Sequence, residues 1–248
     1  MINIKLDTHP KPREKEVYKE EGIVTNILSD EYQQDIRDMA IISIENTKGD
    51  FPVKGDVSII MNFYTCRNLN VQGLVKNALD SLNGIVITDD DRVNSLLAKI
   101  QPADGPEYEK TTIDVVTSRP ILSLDKTRED FKDYKVLTIE VDAVLEDRFL
   151  PYPNNMNATD VVGVNAKVDE EITGLISMQY DGEIIKNEVE VMATFYIGPD
   201  DKGDIDNYSL NYLNNLKGIV LEDIRQIQIL LLNKVNTCLL YTSDAADE

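Results

Sequence analysis

The feature that most constrains the fold is an internal repeat. Residues 54–64 align with residues 186–196 at an offset of 132, with four identical positions and the same apolar pattern. After a loop that is two residues longer in the second copy, residues 70–93 align with residues 204–227 at an offset of 134, with seven identities in 24 positions. These identities include a Gly-Ile-Val step, which begins at Gly84 in the first copy, and an acid five residues after that glycine. Two unrelated amphipathic helices would not share the step and the acid, so the sequence indicates a tandem duplication.

Both copies have the same predicted order of elements. The expected elements of copy one are a strand at 2–6, a Pro-bearing loop, a helix beginning near a capping box of Asp30 and Gln33, a strand ending at Tyr64, a helix over 74–82, and strands at 93–100 and 112–117. Those of copy two are a strand at 136–141, a helix around 168–176, a strand ending at Tyr196, a helix over 208–216 and a strand at 227–232. Gly84 and Gly218 suit left-handed helix C-caps. The predicted fold class is α+β, with two tandem domains at 1–118 and 136–237, each a small mixed sheet carrying two helices, and a linker at 119–135.

The last eleven residues, 238–248, look like the translation of a sequencing-library adapter. We interpret them as an assembly scar and exclude them from the prediction of the fold. Copy two is therefore expected to lack the closing strand that copy one has at 112–117.

Composition excludes several classes of site and protein. The chain has 248 residues, one His, two Cys and a net charge of −20, or −17 without the scar. One His and two Cys cannot build a His cluster, a disulfide framework or a Cys-based zinc site. No apolar run has the length of a membrane helix, and no basic leader precedes an apolar stretch, so a cytoplasmic location and no membrane partner are expected. Cys66 is expected to be a small buried apolar side chain.

An acidic constellation in copy two carries the strongest chemical signal. Asp204 and Asp206 flank one residue just before a predicted helix, and Glu222 with Asp223 follows that helix. If these four carboxylates converge at one sheet edge, they offer the oxygen ligands that Mg²⁺ prefers. A solvated acidic loop followed by a capped helix is the alternative. An EF-hand is excluded, because the glycine required at loop position six is missing.

The motif that spans residues 203–207, the Leu-x-x-Leu-x-Gly-Ile-Val turn and the later acid pair resemble the RusA family of Holliday-junction resolvases. In copy one, residues 76–86 followed by residues 89–93 resemble that family as well. The resemblance implies a small dimeric endonuclease that depends on Mg²⁺ or Mn²⁺ and cuts branched DNA in recombination and repair. It also implies that Asp204, Asp206 and Asp223 are the catalytic metal ligands, with Asp89 or Asp90 as the corresponding acid of a remnant site in copy one. Glu222 is a further candidate ligand from the pattern of acids alone.

Each copy departs from the family pattern at a different place. Copy one has Asn70 and Gln72 where the family has paired aspartates, and copy two has Leu210 where the family has a lysine that copy one retains as Lys76. The acids and the base are thus divided between the copies. An intramolecular pseudo-dimer would bring Lys76 to the opposite site as a catalytic residue, whereas a solvated helix lysine is the alternative, and a homodimer would supply the paired cuts.

Net charge opposes binding of DNA, because contacts to a phosphate backbone rely on Lys and Arg. The locally basic stretch holds Lys11, Arg13, Lys15 and Lys19, which are the predicted nucleic-acid-binding residues, and acids interrupt it. The sequence therefore leaves two hypotheses: a metal-dependent nuclease with copy two as its catalytic copy, or a catalytically lapsed duplicate that acts as a protein-interaction scaffold.

Overall fold

The computed structural model describes residues 1–13, 17–19, 22–24, 27–117, 137–141, 158–198 and 203–236. These residues form an α+β fold with one six-stranded mixed sheet, a two-stranded hairpin and four helices, which confirms the predicted class. The strands are β1 (Ile2–Leu6), β2 (Val17–Lys19), β3 (Gly22–Val24), β4 (Val57–Thr65), β5 (Val93–Pro102), β6 (Lys110–Thr117), β7 (Val189–Ile197) and β8 (Ile227–Asn236). The helices are α1 (Ile27–Glu45), α2 (Val71–Leu82), α3 (Ala158–Gln179) and α4 (Ile205–Leu216). Among these described residues, no helix combines the length and the apolar composition that a membrane crossing requires.

The two copies share a single sheet, although a separate sheet was predicted for each. The strand order is β1-β6-β4-β5-β8-β7. Within each copy, a helix links two parallel strands: α2 joins β4 to β5, and α4 joins β7 to β8. β5 and β8 then pair antiparallel with each other and join the copies. An approximate two-fold axis between β5 and β8 therefore relates the two copies.

The helices pack on one face of the sheet, where the core lies. The predicted inner face of α2 is confirmed, because its four apolar residues, Leu74, Ala78, Leu79 and Leu82, are fully buried. Burial of one such leucine contributes roughly 1.5–3 kcal/mol to stability. After each second helix, Gly84 (φ +74°) and Gly218 (φ +82°) adopt the predicted left-handed conformation.

The structure corrects four of the sequence predictions. α1 begins three residues before Asp30, so Asp30 lies in the first turn and is not the N-cap. Residues 137–141 are not a strand, because they pair with none of the described strands. β2 and β3 form a hairpin inside the predicted loop. Cys66 is exposed and not buried. The linker prediction, 119–135, and the scar lie outside the described residues.

Candidate functional site

The chain segments that carry the predicted acids meet at one edge of the sheet. β7 ends at Ile197 and α4 begins at Ile205, while the 3₁₀ turn Asp90–Arg92 leads into β5. Because β8 runs parallel to β7 and antiparallel to β5, the end of β7 and the start of β5 lie at the same edge. Lys234 joins the two segments, since its Nζ donates to the carbonyl oxygen of Asp91 (2.7 Å) and to that of Gly203 (3.2 Å).

Three carboxylates, two from copy one and one from copy two, converge at this edge. Ligand oxygens of Asp89, Asp90 and Asp204 all lie within 4.8 Å of one another. Asp204 is the N-cap residue of α4, and Asn207 donates to its Oδ2 at 3.0 Å. Asp90 is buried, whereas Asp89 is exposed to solvent. The site is therefore composite: neither copy holds it alone.

Asp206 and Lys76 form a buried ion pair beneath these carboxylates, again between the copies. Lys76 Nζ on α2 lies 3.1 Å from Oδ2 of Asp206 on α4 and 3.1 Å from Oδ1 of Asp80. Asp206 is fully buried. Its other oxygen, Oδ1, receives no hydrogen bond from the residues that the structure describes. A buried carboxylate is costly without a partner, and Lys76 is the charged partner that the structure gives Asp206.

The close acids shift the protonation equilibria of the site. Burial, the Asp206 carboxylate and the hydrogen bond with Asp89 raise the pKa of Asp90 to about 6, although Lys76 opposes the shift. Burial likewise raises the pKa of Asp206, against the influence of Lys76. Burial of Lys76 disfavours its charge, but Asp206, Asp80 and Asp90 outweigh burial and raise the pKa of the ammonium. Lys76 therefore stays charged near neutral pH.

Asp223 does not join Asp204 and Asp206, which the sequence analysis had grouped with it. It lies just before β8, at the edge where β7 begins, and Gln226 fixes that turn by donating to the carbonyls of Ile185 and Asn187. The end of β7 is eight residues further along, roughly 26 Å away at 3.3 Å per residue. Asp204 follows that end of the strand and therefore lies at the opposite edge. Glu222, beside Asp223, is exposed, and its backbone N–H donates to Ile185.

The side chain of Asp223 has a structural role in its turn. It accepts hydrogen bonds from the N–H and the guanidinium of Arg225 and forms an ion pair with Lys217. Hydrogen bonds from Arg225 and the charge of Lys217 hold the pKa of Asp223 well below its usual range. A carboxylate engaged in this way is a poor candidate for a metal ligand.

Helix capping distinguishes the composite site from its pseudo-symmetric counterpart. Asn70, the counterpart of Asp204, caps α2 by accepting from the N–H of Gln72 at 3.0 Å. Asp223, the counterpart of Asp89, caps its own 3₁₀ turn. By contrast, Asp204 and Asp89 occupy N-cap positions, but neither side chain makes a capping hydrogen bond to the helical segment that follows. The composite site thus keeps these two carboxylates out of capping, whereas its counterpart uses both side chains to stabilise local structure.

The described residues of the predicted basic stretch contact α1 and α2. Lys11 pairs with Glu31 at 3.8 Å, and Arg13 pairs with Asp80, the same residue that contacts Lys76. Lys15 and the side chain of Lys19 lie outside the described part of the chain. Arg13, Asp80, Lys76 and Asp206 thus form a continuous series of alternating charges that leads from this segment to the composite site.

The sequence analysis assigned Asp89 and Asp90 only to a remnant site, and it missed Asp80. The order of elements could have shown that the acids of copy two do not meet each other. In a strand–helix–strand unit with parallel strands, the end of the first strand and the start of the second lie at opposite edges of the sheet. Asp204 and Asp223 flank such a unit, so they could not meet within copy two.

Neither comparison of the sequence with known proteins identifies a relative. The chain matches no protein-family model, and no curated protein matches it.

Proposed function

We propose that the protein is a divalent-metal-dependent endodeoxyribonuclease of the Holliday-junction resolvase type, built from two RusA-like repeats that share one composite site. The observation that carries the proposal is the convergence of Asp204 from copy two with Asp89 and Asp90 from copy one, within 4.8 Å. The resemblance in sequence supports the choice of reaction type, and the convergence of the three carboxylates supports the choice of residues.

The residues present fit a hard divalent cation. Oxygens of three carboxylates lie within 4.8 Å of one another, and the neighbouring Lys76 is shared between Asp206 and Asp80. Oxygen ligands and excess negative charge are what Mg²⁺ and Mn²⁺ require. Asp89, Asp90 and Asp204 would hold the ion, with Asp206 behind them.

A bound ion would polarise a phosphodiester and lower the pKa of the attacking water. The protein positions the charges around that reaction. Lys76 keeps its proton at neutral pH, so it acts as a fixed positive charge beside Asp206 and not as a proton donor. The N-terminus of α4, which begins beside Asp204, favours a phosphate oxygen through its N–H groups.

The asymmetry of the two sites limits each chain to one cut. The counterpart site carries Asn70 and Gln72 in place of acids, and Asp223 is held by Arg225 and Lys217. One competent site produces a nick, so paired cuts across a junction require two chains.

A protein-interaction scaffold is the second candidate, and one observation favours it. Lys11, Arg13 and Lys76 are each paired with a carboxylate, which reduces the positive charge that they offer to DNA. In this alternative the composite carboxylates would be a remnant of the ancestral site.

Cleavage of a labelled four-way DNA junction by the full chain tests the proposal, with Mg²⁺ or Mn²⁺ present and with Asp204→Asn as the matched variant. The nuclease predicts metal-dependent nicks that the variant loses, together with saturable Mn²⁺ binding that the variant weakens. A well-folded protein that neither cuts nor binds Mn²⁺ would leave the scaffold as the function.

A further inference from the structure

We propose that the face of the sheet opposite the helices binds the phosphate backbone of DNA in copy one, through Lys5 of β1, Lys110 of β6 and Lys99 of β5. The predicted basic stretch is a poor candidate for this contact, because Lys11 and Arg13 are paired with carboxylates. The inference concerns binding alone, so it does not depend on whether the composite site cuts DNA.

The register of the sheet places the three lysines on one face. Four adjacent strands contribute one row of neighbouring residues, which are Lys5, Thr112, Asn62 and Lys99. Lys110 lies two residues before Thr112, so its side chain is on the same side of β6. Ile4 and Ala98, which alternate with the lysines along β1 and β5, are buried in the core. The lysines therefore face away from the helices.

The three lysines are accessible and keep their charge. Lys5 and Lys110 are exposed to solvent, and Lys99 is half-buried. None of the three forms an ion pair with a residue that the structure describes. Nζ of Lys110 lies 4.6 Å from the centre of the Tyr64 ring, and this contact orients the ammonium without a neutralising carboxylate. The face thus offers positive charge to a ligand.

The charge balance of this face is the reverse of that of the whole chain. The chain has 45 acidic residues against 25 basic ones. Among the described residues of β1, β6, β4 and β5, the acid on the side of the three lysines is Asp114, to which Asn3 donates at 2.6 Å. The exposed acids Asp7 and Glu107 lie beyond the ends of β1 and β6. A polyanion therefore meets more lysines than carboxylates here.

The chemistry of the row suits a nucleic-acid backbone. Lysine ammonium groups and the polar groups of Asn, Thr and Tyr are among those that contact phosphate oxygens in protein–DNA complexes. The row from Lys5 to Lys99 crosses three strand spacings, which is roughly 14 Å at about 4.8 Å for each spacing. One DNA strand has a phosphate about every 3.4 Å along the helix axis, so the row spans about four phosphates.

The lysine surface and the composite site belong to the same sheet. β5 begins at Val93, directly after the turn that carries Asp90. Lys99 lies six residues further along β5, roughly 20 Å away. A DNA arm that lies on the lysines and follows the strand direction therefore extends towards the edge where the three carboxylates converge.

Binding of a fluorescently labelled four-way junction to the full chain, measured by anisotropy in EDTA, tests this surface. Lys5→Gln/Lys110→Gln is compared with Lys48→Gln/Lys186→Gln, which changes the net charge equally at exposed lysines outside the sheet. We expect Lys5→Gln/Lys110→Gln to weaken binding by about tenfold or more. It should also lower the slope of log K against log salt by about two, since each phosphate contact contributes roughly one. The control variant should retain the slope.

Two further variants separate this surface from folding and from cleavage. Lys5→Arg/Lys110→Arg should bind the junction as the unaltered chain does, because the charges are kept. Asp204→Asn, which tests the proposed nuclease, should bind the junction in EDTA without loss. Equal weakening in the two Lys→Gln variants, unchanged binding in both, or no DNA binding by the unaltered chain would overturn the proposal. Tighter binding of poly-glutamate than of DNA to the same lysines would also overturn it and would identify an acidic protein as the partner.

Discussion

Leu97 of β5 lies directly opposite Leu231 of β8, and the two leucines occupy the same position in the two repeats, 134 residues apart. Each is thus paired with its own counterpart, which locates the approximate two-fold axis at this pair. Moving outward from the axis, Ile60 lies beside Leu97 and Met192, the counterpart of Ile60, lies beside Leu231. Because the repeats meet in this antiparallel register, the end of β7 faces the start of β5 and the composite site forms.

Replacement of Lys76 is expected to destabilise the protein strongly. Lys76→Met leaves the buried carboxylate of Asp206 without its ammonium partner, and breaking a buried ion pair on one side costs about 3–5 kcal/mol. The double variant Lys76→Met/Asp206→Leu should recover most of that loss, since neither charge remains. Urea unfolding of the single and double variants measures the coupling. Additive losses would contradict a direct ion pair between the repeats.

Removal of the Asp90 charge should stabilise the protein while it weakens metal binding. The pKa of Asp90 is raised to about 6 in the folded protein, so the folded state binds this proton more tightly than the unfolded state does. The charged carboxylate therefore lowers the free energy of unfolding above pH 6, and stability rises as the pH falls through 6. Asp90→Asn should therefore increase the free energy of unfolding at pH 8 by about 1–3 kcal/mol. Thermal unfolding from pH 4.5 to 8 measures this, with the exposed Asp104→Asn as control. A variant that loses stability at pH 8 would show that the site carries no excess charge.

Glu109 should account for part of the acid sensitivity. This side chain is 1 % exposed. Burial opposes its charge, but hydrogen bonds from Thr65, Cys66 and His9 outweigh burial and lower the pKa of Glu109 to about 2. Its contribution of roughly 3 kcal/mol is present above pH 4.5 and is lost as the pH falls towards 2. Glu109→Gln should flatten the pH dependence of the Tm in that window. An unchanged slope would contradict this role.

The left-handed turn after α2 predicts a specific cost for a side chain. Gly84 has a φ of +74°, which L-residues disfavour, so Gly84→Ala should lower stability by about 1 kcal/mol. Gly55 has no positive φ, and no atom lies within 4 Å of the place that a Cβ would occupy there, so Gly55→Ala is the matched control and should not lower stability. Chemical denaturation of both variants decides the point. Equal effects would mean that conformation at Gly84 does not matter.

The sequence predicted local elements well because periodicity reports which residues face the core. The inner face of α2, β1, β6 and the turn at Gly84 followed from such patterns. The prediction of a strand at 137–141 was wrong. The alternating apolar residues Ile139 and Val141 pack on the core without a neighbouring strand, so the same pattern arises in both cases. Pairing is a property of the partner strand, which the local sequence does not contain.

Assembly of the site was less predictable. Asp204 and Asp206 were identified from spacing, and their position after β7 is as expected. The antiparallel pairing of β5 with β8 decided which acids meet them, and no local pattern specifies that pairing. The buried contact between Lys76 and Asp206 depends on the same pairing, so the sequence raised it only as an alternative to a solvated lysine.

The most direct test of the composite site compares Asp89→Asn with Asp223→Asn, which change equivalent positions of the two repeats at opposite edges of the sheet. The measurement is Mn²⁺ affinity by calorimetry, followed by Mn²⁺-dependent nicking of a four-way junction. The composite site predicts that Asp89→Asn weakens Mn²⁺ binding by at least about tenfold and abolishes nicking, whereas Asp223→Asn preserves both. Loss of Mn²⁺ binding and nicking in Asp223→Asn with retention in Asp89→Asn would contradict the account.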